Sequence, residues 1–99
     1  MQGKIKYEFP TKLWKYNAPG GWHFVSLPQD FSKEIRKNLQ WQEEGWGRMK
    51  AVAQIGTVQW QTSIWFDTKL ELYVLPIKAE IRKNAQLVLD QTIEMTLWV

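Results

Sequence analysis

Polar and apolar residues alternate along several stretches of this chain, which is the period of a β-strand with one buried face. The first stretch, IKYEF at residues 5–9, places its apolar residues at every second position. Pro10 then removes a backbone donor, so we expect this strand to end, bulge or lie at a sheet edge before it resumes through Leu13.

Two longer alternating runs flank Gly56-Thr57, and together they predict a long β-hairpin. A further alternating run closes the chain, and two shorter apolar runs each lead into a Leu-Pro pair. After the first stretch, the runs that we interpret as strands cover residues 22–27, 48–55, 58–66, 71–75 and 93–99. The chain therefore predicts about six short strands.

Two segments of the chain are nearly the same. Leu27–Asn38 reads LPQDFSKEIRKN and Leu75–Asn84 reads LPIKAEIRKN, and an apolar run precedes each of them. Such similarity predicts an internal repeat of a strand, a turn, a short helix and a strand. Two copies in a short chain favour a pseudo-two-fold arrangement.

Each copy predicts a short helix through apolar residues four positions apart. In the first copy these are Phe31, Ile35 and Leu39, with Asp30 or Ser32 as the expected N-cap. In the second copy the corresponding stripe is Ile77, Ile81 and Ala85. Both helices are expected to lie against the strands with their basic residues outward.

We predict a mainly β fold: a small closed barrel of about six strands, with two short helices following Leu-Pro turns and a pseudo-two-fold internal repeat. Closure removes exposed strand edges, which is why a barrel is favoured over a flat sheet. Residues 1–99 are expected to form a single domain. Seven Trp, four Phe and three Tyr supply a large apolar core without disulfides or a metal.

Composition narrows the classes of function. The chain has no cysteine, which excludes a disulfide framework, a thiolate metal site and a cysteine nucleophile, and fits a reducing cytoplasm. We find no apolar segment long enough for a leader or a membrane span and expect a cytoplasmic protein. The net charge of +3 is mildly basic and is typical of a solubilising surface. No cofactor is predicted.

Four segments together resemble DUF1905, a bacterial family of small barrels of uncharacterised activity. They are GGWHFVSLP at 20–28, GWGRMKAVAQIG at 45–56, WQTSIWF at 60–66 and YVLPIKAEIRK at 73–83. In many members the domain looks to stand before a segment similar to the YdeI/OmpD-associated type. That segment is not in this sequence, so the resemblance implies no function that depends on it. The Leu-Pro unit is also similar to the half-units of swapped-hairpin barrels that bind DNA as dimers.

One group of residues is a candidate ligand site. Gly20 and Gly21 can present backbone amides to an anion, although a hairpin turn with positive φ is the favoured explanation of the pair. Lys78 and Arg82 lie four apart on one helix face, which suits a phosphate or a carboxylate, although solvated helix charges are the alternative. The tentative ligand-binding residues are Gly20, Gly21, Trp22, His23, Lys78 and Arg82.

Two other classes of function stay open. A weak nucleic-acid binder would use the basic residues of the repeat helices, namely Lys33, Arg36, Lys37, Arg82 and Lys83. An enzyme would need His23, the sole histidine, to converge with Ser63 and Lys78 on one cleft. Adjacent Glu43 and Glu44 are expected to point apart into water, and no catalytic or metal-ligating cluster is readable.

Trp65 and Trp98 fall on the polar faces of their predicted strands. They are expected to be packed under neighbouring elements, or else to form a stacking platform or a dimer interface. Our leading hypothesis is a non-catalytic binding or interaction module, monomer or homodimer, for an unknown small ligand or protein partner.

Overall fold

The computed structural model of the protein describes residues 5–17, 20–43 and 47–99. Its elements in chain order are β1 (Lys6–Lys12), β2 (Trp14–Lys15), β3 (His23–Ser26), α1 (Gln29–Leu39), a 3₁₀ turn (Gln40–Gln42), β4 (Arg48–Ile55), β5 (Val58–Asp67), β6 (Leu72–Pro76), α2 (Ala79–Asn84) and β7 (Thr92–Trp98). The strands form one sheet in the order β1-β7-β4-β5-β6-β3-β2, and every neighbouring pair is antiparallel. The prediction of a mainly β fold is confirmed.

The prediction of a closed barrel of six strands is wrong, because seven strands form an open half-barrel. The terminal strands of the sheet, β1 and β2, are consecutive in the chain and are joined through Leu13. The gap is bridged between β1 and β3, where the Thr11 hydroxyl donates to the Ser26 carbonyl at 2.7 Å. Within the described residues, however, β1 has strand pairing with β7 alone.

Pro10 does not end the first strand. It pairs in register with Glu94 of β7 and is exposed, so its missing N–H lies on an edge strand where no ladder bond is lost. The edge position was one of the three outcomes expected for this proline. The predicted hairpin is confirmed, since β4 and β5 pair from Arg48↔Trp65 to Ile55↔Val58 around Gly56-Thr57.

The core lies on the inner face of the sheet, and α1 covers part of it. Ile64, Tyr73 and Leu75 are fully buried there. Ile35 of α1 is also fully buried, and the Phe31 ring lies 5.0 Å from the ring of Tyr7. The apolar stripe predicted for the first helix is thus confirmed.

Ser32 has a different role from the one predicted. The N-cap position of α1 is Pro28, and neither Ser32 nor Asp30 makes a capping hydrogen bond. The Ser32 hydroxyl is completely buried and accepts the backbone N–H of Tyr73 at 3.0 Å. It therefore ties α1 to β6 by satisfying a buried amide.

The two Leu-Pro segments lie in neighbouring strands. β3 and β6 pair through Val25↔Leu75, and their helices leave opposite ends of this strand pair. The second helix is shorter than predicted: α2 covers six residues, and buried Ile77 precedes it.

The turn at 17–21 includes residues 18 and 19, which lie outside the described residues. Gly20 and Gly21 have the expected positive φ, at 100° and 59°.

Candidate functional site: a groove between β5 and α2

A groove opens where β5 and β6 separate. The two strands pair only from Trp65↔Val74 to Asp67↔Leu72, although β5 begins at Val58. Continuing this register would place Pro76 opposite Ser63. The pairing then ends, and the chain turns into α2 instead of following β5.

Pro76 gives a physical reason for this separation. On β6, the Tyr73 carbonyl accepts from Leu27 N–H at 3.0 Å, and Ile77 N–H donates to the His23 carbonyl at 2.8 Å. Odd-numbered residues of β6 therefore direct their backbone groups to β3, and the even-numbered Pro76 faces β5. Because proline has no N–H, the ladder to β5 loses a donor there while the ladder to β3 is unaffected.

The groove has a volume of about 990 Å³. That is at the upper end of the range of small-molecule sites, roughly 300–1,000 Å³. Its walls are the first half of β5, the segment from Gly20 to His23, and α2 with the residues before it. All six tentative ligand residues, Gly20, Gly21, Trp22, His23, Lys78 and Arg82, line this groove.

Cations outnumber carboxylates along the described lining. Lys50, Lys78 and Arg82 are the cationic residues, and Glu80 is the carboxylate. Lys78 is exposed, while Arg82 is half-buried and its Nη1 donates to the Ile77 carbonyl at 2.8 Å. That bond fixes the guanidinium against the end of β6. The charge of the groove favours an anionic ligand.

His23 is the titratable group in the wall of the groove. Its Nδ1 is buried and makes no hydrogen bond of good geometry among the described residues. Burial lowers the pKa of His23 and the positive charge of Arg82 lowers this pKa further, while a contact with the Gly21 backbone raises it by less. The imidazole is therefore neutral at pH 7.

An aromatic cluster lies beside the groove on the outer face of the sheet. The Phe24 ring lies 5.0 Å from Trp14 and 6.3 Å from Trp22, and it meets Trp65 edge-on at 6.5 Å. Trp14 is held in place because its Nε1 donates to the Ser26 hydroxyl at 2.9 Å. Trp22 is 59% exposed and, like Trp65, lines the groove. These side chains give the site an apolar, stackable wall.

The question about the outward-facing tryptophans is answered by their burial. Trp65 and Trp98 are both half-buried, so neither is a freely exposed indole. The tryptophans that stand furthest into solvent among the described residues are Trp22 and Trp41, at 59% and 79% exposed. A sequence pattern in which Trp22 precedes a strand and Trp41 follows a helix does not reveal this.

The residues of the nucleic-acid alternative do not share one environment. Lys33, Lys37 and Lys83 are exposed, but they lie on helices that leave opposite ends of the β3–β6 pair. Arg36 is committed to contacts within the protein: its Nη1 lies 3.3 Å from Glu43 Oε1 and its guanidinium lies 4.0 Å over the Phe66 ring. Arg82, as described above, belongs to the groove.

The prediction that Glu43 points into water is wrong, because its side chain is only 12% exposed and belongs to a structural cluster. The Tyr73 hydroxyl donates to Glu43 Oε1 at 2.6 Å, and the Tyr73 ring meets Phe66 edge-on at 5.2 Å. Burial raises the pKa of Tyr73, and the hydrogen bond to Glu43 raises this pKa further. The cluster joins the end of α1 to β5 and β6. Glu44, the other predicted carboxylate, lies outside the described residues.

Sequence reasoning missed two features of the groove. Trp60 and Lys50 line it, yet each was interpreted only as part of an alternating strand. The signal that could have located the groove is Pro76 at the end of a strand, since a proline there interrupts pairing with one neighbouring strand.

Described residues contain no group of three or more His, Cys, Asp or Glu able to hold a metal ion. Nor do they form a helix with the length and apolarity to cross a membrane.

The fold is that of a small half-barrel domain in which the sheet is split beside a short helix. The chain belongs to the DUF1905 family, a domain of unknown function, whose family model matches residues 9–97. The resemblance noted from the sequence is thereby confirmed. Comparison with curated proteins found no match.

Proposed function

We propose that the protein is a non-catalytic binding module whose groove between β5 and α2 takes an anionic ligand with an apolar part. The observation that carries the proposal is the meeting of six residues, chosen from the sequence for their binding chemistry, on one groove of about 990 Å³. The cationic side chains suit the anionic part of the ligand, and the exposed indole of Trp22 suits its apolar part.

A panel of nucleotides, sugars, simple anions and short oligonucleotides tests the proposal through thermal unfolding, followed by intrinsic tryptophan fluorescence. A ligand at a hundredfold its Kd stabilises a protein by about 2.7 kcal/mol. For a domain of this size that raises Tm by roughly 10 °C or more. If no anionic member of the panel or of the peptides described below raises Tm, the proposal fails.

Two charge-reversal variants separate the groove from the basic helices. Lys78→Glu removes an exposed cation of the groove, whereas Lys37→Glu removes an exposed cation of α1. We expect Lys78→Glu to reduce the ligand-induced rise in Tm and Lys37→Glu to leave it unchanged. The reverse result would favour the nucleic-acid alternative, which predicts affinity that falls steeply with salt. That alternative uses the basic residues of the two helices, namely Lys33, Arg36, Lys37, Arg82 and Lys83.

An enzyme is the second candidate, since His23, Ser63 and Lys78 all line the groove. A neutral imidazole suits a general base. Against this, no side chain of the described residues hydrogen-bonds to Nδ1 of His23, and Glu80 is the carboxylate of the described lining. Turnover in a hydrolase or transferase screen that His23→Gln abolishes would replace the binding proposal with this one.

We further propose a bacterial, cytoplasmic protein, monomer or homodimer, with a pseudo-two-fold internal repeat. The absence of cysteine from the sequence supports a reducing compartment. The antiparallel contact of β3 with β6 supports the repeat, because a dyad through the pair Ser26↔Val74 exchanges the two Leu-Pro segments. Sedimentation of the purified chain distinguishes the two oligomeric states.

A further inference from the structure

The groove exposes an unpaired strand edge. On the side away from β4, residues 58–64 of β5 have no strand partner in the part of the chain that the structure describes. Unpaired strand edges present rows of N–H and C=O groups, and proteins usually cover or protect them. Here the edge lines a groove of about 990 Å³.

The direction of the free backbone groups follows from one hydrogen bond. Phe66 N–H donates to the Gly47 carbonyl at 3.1 Å, so even-numbered residues of β5 direct their backbone groups toward β4. The odd-numbered residues Gln59, Gln61 and Ser63 then direct theirs into the groove. This provides up to three donors and three acceptors spaced as a strand partner requires.

Side chains on the two faces of this edge differ. Ile64 is buried in the core, so Trp60 and Thr62 point to the inner face, near Ile77 and Ile81 of the same groove. Gln59, Gln61 and Ser63 lie on the outer, polar face. A strand added here would therefore place alternate residues against apolar and polar surroundings.

We propose that the groove binds an extended acidic peptide from a partner protein, which adds to β5 as a further strand. The peptide's apolar residues pack at alternate positions against Trp60 and Ile77, and its carboxylates meet the excess of cations that includes Lys78 and Arg82. Main-chain hydrogen bonds to the strand edge supply affinity, while alternate side chains supply specificity. This inference rests on the proposed function, because it names the ligand of the same groove.

The probe is a blocked seven-residue peptide in which Glu and Val alternate, beginning and ending with Glu. At roughly 3.3 Å per residue it spans the length of residues 58–64. Binding is measured by tryptophan fluorescence titration against the whole protein. Two control peptides have the same length: one has the same composition with the Val residues in one block, and one has Lys in place of Glu. We expect each control to bind at least tenfold more weakly.

A pair of protein variants tests the strand edge itself. Gln61→Pro removes the N–H that faces the groove, while Gln61→Ala removes the side chain and keeps that N–H. Gln61 lies opposite Val52 at a position whose backbone groups point away from β4, so neither variant removes a bond of the hairpin. We expect Gln61→Pro to bind the peptide at least tenfold more weakly than Gln61→Ala, and thermal unfolding shows whether both are folded.

N-methylated peptides provide a second test that does not depend on a variant folding. One analogue carries methyl groups on its Val amides and the other on its internal Glu amides. An antiparallel added strand bonds β5 through the outward residues, so methylated Glu amides would weaken binding at least tenfold. A parallel added strand bonds β5 through the inward residues, so methylated Val amides would weaken binding at least tenfold in that case. We expect one of the two analogues to lose binding, and the one that does gives the strand's direction.

The inference is overturned if the alternating peptide does not bind, or if both N-methylated analogues bind within threefold of the parent peptide. It is also overturned if a folded Gln61→Pro variant binds the peptide within threefold of Gln61→Ala. A peptide that fails while a small anion raises Tm through Lys78 overturns strand addition and leaves the binding module standing. Turnover abolished by His23→Gln overturns the binding module itself.

Discussion

The contact between Ser32 and Tyr73 gives a stability prediction that can be worked from the structure. Ser32→Ala removes the hydroxyl that accepts Tyr73 N–H at 3.0 Å, at a site with no exposed surface. The amide is left without an acceptor, which costs about 1–3 kcal/mol. For a domain of this size we expect a fall in Tm of roughly 5–20 °C.

Thermal unfolding measures the loss, and amide hydrogen exchange locates it. Exchange should accelerate at the Tyr73 amide in Ser32→Ala. The neighbouring variant Lys33→Ala is the control, since Lys33 is exposed and should change stability by less than about 0.5 kcal/mol. The reasoning is refuted if Ser32→Ala is as stable as the wild type, or if exchange accelerates in the first turn of α1 instead, as it would for a helix cap.

Three further predictions follow from the same structure. Burial and Arg82 lower the pKa of His23 in the folded protein, so on acidification the unfolded chain takes up a proton at this residue before the folded protein does. The free energy of unfolding should therefore fall as pH drops below about 6.5. The variant His23→Gln should flatten that fall in denaturation measured across pH. Arg82→Gln should raise the pKa of His23, read from the imidazole signal of the sole histidine by NMR; an unchanged pKa would contradict the placement of Arg82. In chemical denaturation, Arg36→Ala should lower the free energy of unfolding by about 2 kcal/mol or more, since it removes both the contact with Glu43 and the stacking on the Phe66 ring. By comparison, Gly56→Ala should lower it by only about 1 kcal/mol, because the residue has a φ of 58° but open space surrounds the new methyl group.

Much of the fold follows from periodicity. The hairpin around Gly56 and the stripe of α1 are local patterns, and local patterns predicted them correctly. Closure of the barrel is not a local property. It depends on whether the terminal strand β1 pairs with the far end of the sheet, and within the described residues β1 pairs with β7 alone. The separation of β5 from β6 at Pro76 opens the groove instead.

The candidate site, too, was predictable only where it depends on local sequence. Gly20 and Lys78 were selected because their chemistry is visible in the residue type and in the spacing along the chain. Their meeting on one groove results from the antiparallel pairing of β3 with β6, which brings residues some fifty positions apart together. Trp60 was missed because alternation alone does not distinguish a core tryptophan from one that lines a groove.

Ser32 shows the limit of local rules for single residues. A serine in the first turn of a helix is typical of a cap, and that rule is about sequence neighbours. The hydroxyl instead serves an amide forty-one positions away, because α1 packs across β6 at that point. Long-range packing decided the role of the side chain.

The most direct test of the account is the imidazole signal of His23, followed by NMR while a stabilising anion or the alternating acidic peptide is added. His23 is the only histidine in the chain, so its signal is unambiguous, and the residue lines the groove. We predict that the signal moves to saturation with the same Kd as the tryptophan fluorescence, and that Lys78→Glu weakens both. A ligand that raises Tm while the His23 signal stays unchanged would show that binding occurs elsewhere and would contradict the account.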